Sequence, residues 1–250
     1  MNPMPFVSVI TVSLNCKEAM EGTIRSVLSQ TYNAKEYIII DGGSTDGTVK
    51  VIEQYQNRLA RWATEPDQGV YDAMNKAIGL ASGEWLIFMN AGDIFCDDSA
   101  LERTIRQATE NVDILYSDTW FRGARSRLFV CDHRRKRIIH QSFLYRKRLH
   151  EEVGAYLVAP GVTISDYLFF NLVAHKRWEK VDRPIAICDD GGISSHSRTL
   201  YQKLAVDLVF GSRGRLQVSM LLALYPFYKI LKRFGLKVIR SGTDKNKMVG

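Results

Sequence analysis

Polar and acidic residues stand at the ends of apolar runs throughout the first 117 residues, and this pattern limits the fold more than any other feature. The runs at 7–12, 37–40, 85–89 and 112–116 are nearly all apolar, with a shorter one at 61–65. Between them, apolar residues recur at helical spacing. One stripe is Met20, Ile24, Val27 and Leu28, a second is Val49 with Ile52, a third is Val70, Met74, Ala77, Ile78 and Ala81, and a fourth is Leu101, Ile105 and Ala108. Strands that are apolar on both sides must be covered on both sides. The alternation therefore predicts an α/β fold, with a mostly parallel, Rossmann-like central sheet and helices on both faces. Ligands of such sheets bind beyond the carboxyl ends of the strands. The polar residues gather there: residues 11–15, Asp41, Asp67 and residues 90–93.

Local signals punctuate the pattern. Asn15 followed by Glu18 reads as a capping box opening the first helix. GGSTDG turns the chain from the second strand into a helix, and Ser82 with Gly83 ends the third helix. Beyond 117 the pattern loosens. Residues 118–150 read as strands and loops rich in Arg, 166–175 as a helix, and 178–188 as one or two strands. The last fifty residues read as helices broken at Pro226. The expected division is a domain over 1–200, with a ligand-binding half at 1–117 and a second half at 118–200, followed by a basic helical tail at 201–250.

Charge is uneven. Residues 122–148 carry ten Lys or Arg against Asp132 alone, and residues 229–250 carry seven against Asp244 alone. The whole chain is only +7, so the remainder is acidic on balance. Such basic segments suit anionic partners, including diphosphates, lipid phosphates and a membrane surface. The apolar stretch at 218–228 is 11 residues long, short of the roughly 20 needed to span a bilayer. It reads as an amphipathic helix lying on a membrane surface, or as one packed on the domain or in a homo-oligomer interface. Four scattered cysteines without CxxC spacing point away from a disulfide scaffold and a zinc site, and toward the cytoplasm. The opening MNPMPFVSVITV has no basic n-region, so no secretory leader is expected.

Acids at strand ends are what a group transfer from a nucleotide diphosphate requires. The base and ribose must be held, the leaving diphosphate neutralised, and a proton taken from the acceptor. Hard divalent cations do the second task through carboxylate oxygens. Asp41, Asp67 and Asp93 are placed for such work, although each residue alone would also suit a cap or turn.

The segments VSVITVSLN, IIDGGSTDGT, EPDQGVYDAMNKAIGLASGEWLIFMNAGD and ISDYLFF, in that order, resemble the family 2 glycosyltransferases of bacterial polysaccharide synthesis. The likeness is nearest to enzymes of colanic-acid-type exopolysaccharide and O-antigen pathways. It is dense over 6–98 and looser to about 196. The resemblance implies a GT-A fold followed by a C-terminal helical segment. It also implies an inverting transfer from a nucleotide-sugar donor, a UDP-sugar, to a glycan or polyprenyl-diphosphate-linked acceptor, with Mn or Mg as cofactor. Thr11 and Asn15 match the first-strand segment bordering the nucleotide. Asp41 matches the aspartate that hydrogen-bonds the base, and Asp67 a second donor-site acid followed by Asn75 and Lys76. Asn90 and Asp93 match the metal-binding element, and Asp166 the catalytic base. The metal motif is reduced, because Asn90 and Gly92 stand where many relatives carry acids. His140 with Gln141, and His196, are candidates for the acceptor wall or the metal.

Other classes fit less well. A nucleotidyltransferase would open with a glycine-rich phosphate loop, but TVSLNCKE has no glycine. A dehydrogenase would show GxGxxG after a strand, and a P-loop enzyme GxxxxGK[ST]; neither occurs. A nucleic-acid binder would use the basic segments but leave the strand-end acids unexplained; no nucleic-acid partner is expected.

Overall fold

The computed structural model describes residues 4–123, 126–189 and 197–233. The first half runs β1 (Val7–Ser13), α1 (Lys17–Leu28), β2 (Lys35–Asp41), α2 (Thr48–Glu53), β3 (Arg61–Thr64), α3 (Val70–Leu80), β4 (Trp85–Phe88), β5 (Ile94–Phe95), α4 (Ala100–Ile105) and β6 (Ile114–Tyr116). The second half runs β7 (Thr119–Arg122), β8 (Arg127–Phe129), β9 (Phe143–Arg146), α5 (Arg148–Val153), α6 (Ser165–Leu172), β10 (Trp178–Lys180), β11 (Ala186–Asp189), α7 (Ser197–Val209) and α8 (Arg215–Arg233). Two compact units result, Met1–Thr199 and Leu200–Gly250.

The main sheet of the first unit has seven strands in the order β10-β6-β9-β4-β1-β2-β3. Every pairing is parallel except those of β9, which runs antiparallel to both β4 and β6. Alternation along each central strand feeds two separate cores. Val7, Val9, Tyr37, Ile39, Trp85 and Ile87 face α1, α2 and α4 through Met20, Ile24, Ile52 and Leu101. Ile10, Val12, Ile38, Ile40, Leu86 and Phe88 face α3 and α6 through Met74, Ala77, Ile78 and Phe169. Burial on both faces is why these strands carry long apolar runs, and the polar side chains they bury, Ser8, Thr11 and Ser13 of β1 and Asp41 of β2, are hydrogen-bonded.

The sheet differs from its sequence pattern at its centre. The run at 112–116 is not the neighbour of β4, because β9 lies between them. Phe143, Leu144 and Tyr145 of β9 are fully buried. Arg146 at its end sends Nε to the Val112 carbonyl and Nη2 to the Thr109 carbonyl, both at 2.9 Å, and pairs with Glu84. Its guanidinium lies 4.6 Å from the centre of the Trp85 ring. A strand of four residues flanked by Arg and His has no helical or βαβ signature, so its central place was not visible locally.

A second, four-stranded sheet, ordered β5-β11-β7-β8, stands beside the loop after β4. The segment 178–188 is therefore two strands in two different sheets. All four cysteines are free.

Two local expectations are corrected. Asn15 does not cap α1: Cys16 occupies that position, and no side chain makes the cap bond. Asn15 instead adopts φ +51°, and its Oδ1 accepts from the Thr45 N–H while Ser44 Oγ accepts from its own N–H. In the second unit, α8 continues through Pro226. The break falls earlier, at Gly211, whose φ of +66° ends α7 while Ser212 N–H returns to the Asp207 carbonyl. One proline removes a single helical hydrogen bond, which a long helix survives as a local distortion.

Candidate functional site

The carboxyl ends of β1, β2, β3 and β4 open on one edge of the main sheet, and the loops there are tied together by Asp41. This side chain is fully buried. Its Oδ1 accepts from Ser13 Oγ at 2.9 Å and Ser44 Oγ at 2.5 Å, and its Oδ2 accepts from Gly43 N, Ser44 N and Thr64 Oγ1. Burial pushes its carboxyl up, but the Ser44, Thr64 and Ser13 bonds outweigh it and hold the group below its ordinary range. A carboxylate offers about four lone-pair sites, and these five donors take them. Asp41 is thus the knot of the loop, joining β1, β2 and β3.

Asp67 is the acid that stands open. It is half-buried, and its Oδ1 accepts from Gly69 N at 2.8 Å. Its Oδ2 lies 2.4 Å from where a Cβ on Gly42 would be, so only glycine lets the carboxylate pack over the turn. Lys76 stands beside it, with Nζ 2.9 Å from Glu65 and 3.3 Å from Asp72.

Two other expected donor residues bond within the protein. Thr11 is fully buried; its Oγ1 donates to the Met89 carbonyl at 2.6 Å and accepts from the Tyr37 hydroxyl at 2.9 Å. Asn75 uses both ends of its amide on the backbone of Tyr156, donating to its carbonyl and accepting from its N–H.

The loop 90–93 is held from three sides. Thr23 of α1 donates to the Asp93 carbonyl and accepts from Gly92 N, each at 2.9 Å. Arg122 of β7 donates to the Gly92 carbonyl at 3.0 Å and to Asp189 Oδ1 at 2.9 Å. Gly92, at φ +102°, has Asp189 Oδ2 only 3.2 Å from a would-be Cβ. Asp93 itself is 8% exposed. Burial pushes its carboxyl up to about 7, against the pull of the Cys188 thiol, the Asp189 backbone and Gln141, while the charge of Asp189 adds to the rise. The Oδ1 atom of Asn90 is buried and has no hydrogen-bond partner among the described residues.

A buried amide oxygen without a donor, close in the chain to a carboxyl that resists ionising alone, fits a hard cation taken through oxygen atoms. No group of three or more His, Cys, Asp and Glu side chains gathers among the described residues. Most ligands of such an ion would therefore come from a bound diphosphate and water, a pattern common for Mg.

Asp166 stands in the first turn of α6 and is half-buried. Tyr71 of α3 donates its hydroxyl to Asp166 Oδ1 at 2.7 Å. His140, a candidate for the acceptor wall or metal, is neither. It is buried, its ring stacks on Phe88 at 4.7 Å, and its Nε2 lies 3.0 Å from Tyr156 Oη. Burial pulls its pKa down to about 4, so it stays neutral. Its neighbour Gln141 is the one that reaches Asp93. His196 lies outside the described residues. Thr23, Tyr71 and the Arg122–Asp189 pair were not singled out from sequence. Tyr71 alone carried a signal, since it sits inside the EPDQGVYDAMNKA segment.

Comparison with known proteins places this geometry. The family model for glycosyl transferase family 2 matches residues 8–157. An uncharacterized glycosyltransferase of Mycobacterium tuberculosis is 31% identical over 213 residues, covering 78% of this chain and 79% of its own. Staphylococcus aureus TarS 1-349, solved with UDP-GlcNAc, superposes with a TM-score of 0.71 at 17% identity, covering 97% of this chain and 76% of that one. The mannosyltransferase PcManGT of Pyrobaculum calidifontis, solved with GDP-Man and Mn2+, gives a TM-score of 0.62 at 16% identity, covering 94% and 83%. The likeness to these two structures is one of fold, and the expected GT-A architecture is the one observed.

Proposed function

The chain belongs to glycosyl transferase family 2, and from that premise we propose that it is an inverting enzyme of bacterial surface polysaccharide synthesis. It takes a sugar from a nucleotide-diphosphate-sugar, a UDP-sugar, and places it on a glycan or polyprenyl-diphosphate-linked acceptor. The loop 90–93 carries this reading, because an unpartnered buried oxygen on Asn90 and the buried carboxyl of Asp93 stand at the strand edge. A Mn or Mg ion bound there with the donor would neutralise the leaving diphosphate.

The protein's own residues divide the remaining work. The Asp41 knot fixes the floor, with Asp67, Lys76 and the Asn15 turn at its rim. Asp166 receives the acceptor's proton as the acceptor oxygen bonds the anomeric carbon and the diphosphate departs with the electron pair of the broken bond. Entry from the side opposite the leaving group inverts the configuration. Donor handling belongs to residues 1–117 and acceptor handling to 118–200, where the basic run 122–148 favours an acceptor bearing phosphate.

Residues 201–250 serve as a tail that lies on an anionic membrane surface. Leu216, Met220 and Leu224, spaced four apart on α8, are 76%, 55% and 57% exposed. Lys229, Lys232, Arg233, Lys237 and Arg240 follow in sequence. Among the described residues, no helix is long and apolar enough to cross a membrane. A chain truncated after Arg215 should lose flotation with anionic vesicles; undiminished flotation would refute the tail's role, and a change from dimer to monomer would assign the face to a second copy.

A donor screen by thermal shift tests the catalytic reading. A nucleotide-sugar with manganese should raise the melting temperature of the wild type, since a ligand selective for the folded state stabilises it. Asp93→Ala should remove the manganese-dependent part. A shift that needs no metal and survives in Asp93→Ala would overturn the assignment of the site.

A further inference from the structure

Asp166 does not stand alone at the start of α6. The titratable groups that face it among the described residues come from three elements: Tyr71 from α3, His140 from the turn before β9, and Tyr156 from the segment after α5. Burial, and then the nearby charge of Asp166, push the Tyr71 hydroxyl far above its usual range. Burial does the same to Tyr156 and keeps His140 neutral. All three are therefore uncharged around neutral pH.

Their hydrogen-bond directions follow from one carbonyl. The Gly154 oxygen can only accept, so His150 Nδ1–H donates to it at 3.1 Å. Burial holds His150 neutral, with a pKa pulled down to about 4, so its Nε2 accepts from the Tyr145 hydroxyl at 2.9 Å. Tyr145 then accepts from Tyr156 at 3.1 Å, and Tyr156 accepts from His140 Nε2–H at 3.0 Å. This chain absorbs the hydroxyl protons of Tyr145 and Tyr156 and leaves Tyr71 as the hydroxyl that serves Asp166. The backbone of Ser165 and Asp166 in the first turn of α6 also lies close to the Tyr71 hydroxyl.

Tyr71 belongs to the donor side of the molecule. It is the second residue of α3, two positions after Gly69, whose N–H holds Asp67. Gln68 N–H is held in turn by Asp72 of the same helix. A side chain anchored on the Asp67 loop thus grips the carboxylate from the acceptor half.

We infer that Tyr71 is a positioning residue for transfer: it ties Asp166 Oδ1 to the donor loop and so presents Oδ2 to the acceptor hydroxyl. The inference rests on Asp166 acting as the base. The proton moves from the acceptor oxygen to Oδ2, and Tyr71 keeps its own throughout. Fixing a general base against rotation matters because proton transfer needs hydrogen-bond reach and alignment.

The test is steady-state kinetics of the full chain as wild type and three variants: Tyr71→Phe, Asp166→Asn and the double variant. Tyr71→Phe removes one oxygen and keeps the buried ring. We expect kcat to fall by about tenfold or more, the loss associated with a hydrogen bond to a charged group, with donor KM within about twofold. In the Asp166→Asn background the same change should have no further effect, because a base that is absent needs no positioning. If Asp166→Asn alone transfers at the wild-type rate, the base assignment fails, and this inference fails with it. If Asp166→Asn is inactive while Tyr71→Phe keeps the wild-type kcat, the base stands and the role of Tyr71 falls. An equal loss in both backgrounds, or a loss confined to donor KM, would make Tyr71 merely structural and overturn the inference.

Discussion

The halves on either side of residue 117 solve the same packing problem by different means. In residues 1–117, β1 pairs with β2 and β2 with β3 in parallel across short helical crossovers, while β1 takes β4 on its other side from farther along the chain. In residues 118–189, β9 pairs antiparallel with β4 and β6 at the centre of the main sheet, while β7 and β11 build a second sheet with β5. The first half makes a scaffold whose site lies at predictable strand ends. The second half inserts into that scaffold and supplies what the first lacks: the Asp166 carboxylate, the Arg122 and Asp189 clamp on the 90–93 loop, and the aromatic wall around His140. On the proposed assignment, donor recognition and acceptor chemistry are separable in sequence but interlocked in space.

The sharpest way to break this division is Asp166→Asn. If donor handling resides in the first half, transfer should fall at least about a hundredfold, the lower range for loss of a general base, while donor affinity by calorimetry stays near wild type. A matching loss of donor affinity would show that the halves do not divide the work.

The next test concerns the sheet centre. Leu144→Ala in β9 should cost about 3 kcal/mol in urea unfolding, as burial at a packed centre requires, and Leu86→Ala in neighbouring β4 should cost a similar amount. A cost for Leu144→Ala well below 1 kcal/mol would mean that the second half contributes little to the common core.

The smallest effect falls on the loop between the halves. Asp93 binds its proton more tightly in the folded state than in the unfolded chain, because burial raises its pKa to about 7. Its contribution to stability is therefore whole below about pH 4, the unfolded value, and is lost as pH climbs through about 7. Metal-free Asp93→Asn, which cannot ionise, should melt a few degrees above wild type at pH 8 and match it near pH 4. Identical melting profiles of the two proteins across that range would show that the carboxyl is not buried as described.

What the sequence disclosed follows the same boundary. The apolar runs and helical stripes of the first half announced strands and helices because each element carries its own periodicity. Site residues were harder, since residue type and strand-end position do not reveal which way a side chain is satisfied. Asp41 and Asp67 looked alike from sequence, yet five protein donors occupy the first and the second stands open. Thr11 and Asn75 were attributed to the ligand when their polar atoms serve Met89 and Tyr156. His140 drew notice as a histidine, but its meaning depends on Phe88 and Tyr156, which are remote in sequence. Tyr71 shows the reverse: an apolar-looking helix position whose partner lies 95 residues away.

The Asp41 knot has a consequence for how donors are told apart. On the proposed reading, a floor laced by hydroxyls from β1, β3 and its own turn is held in place before a ligand arrives. Little ordering is left to oppose binding, and little deformation is available to accommodate a different ligand. On the proposed reading, selectivity among nucleotide-sugars resides in the few side chains standing on that floor, so exchanging Asp67 or Lys76 should alter preference while the floor beneath stays as it is.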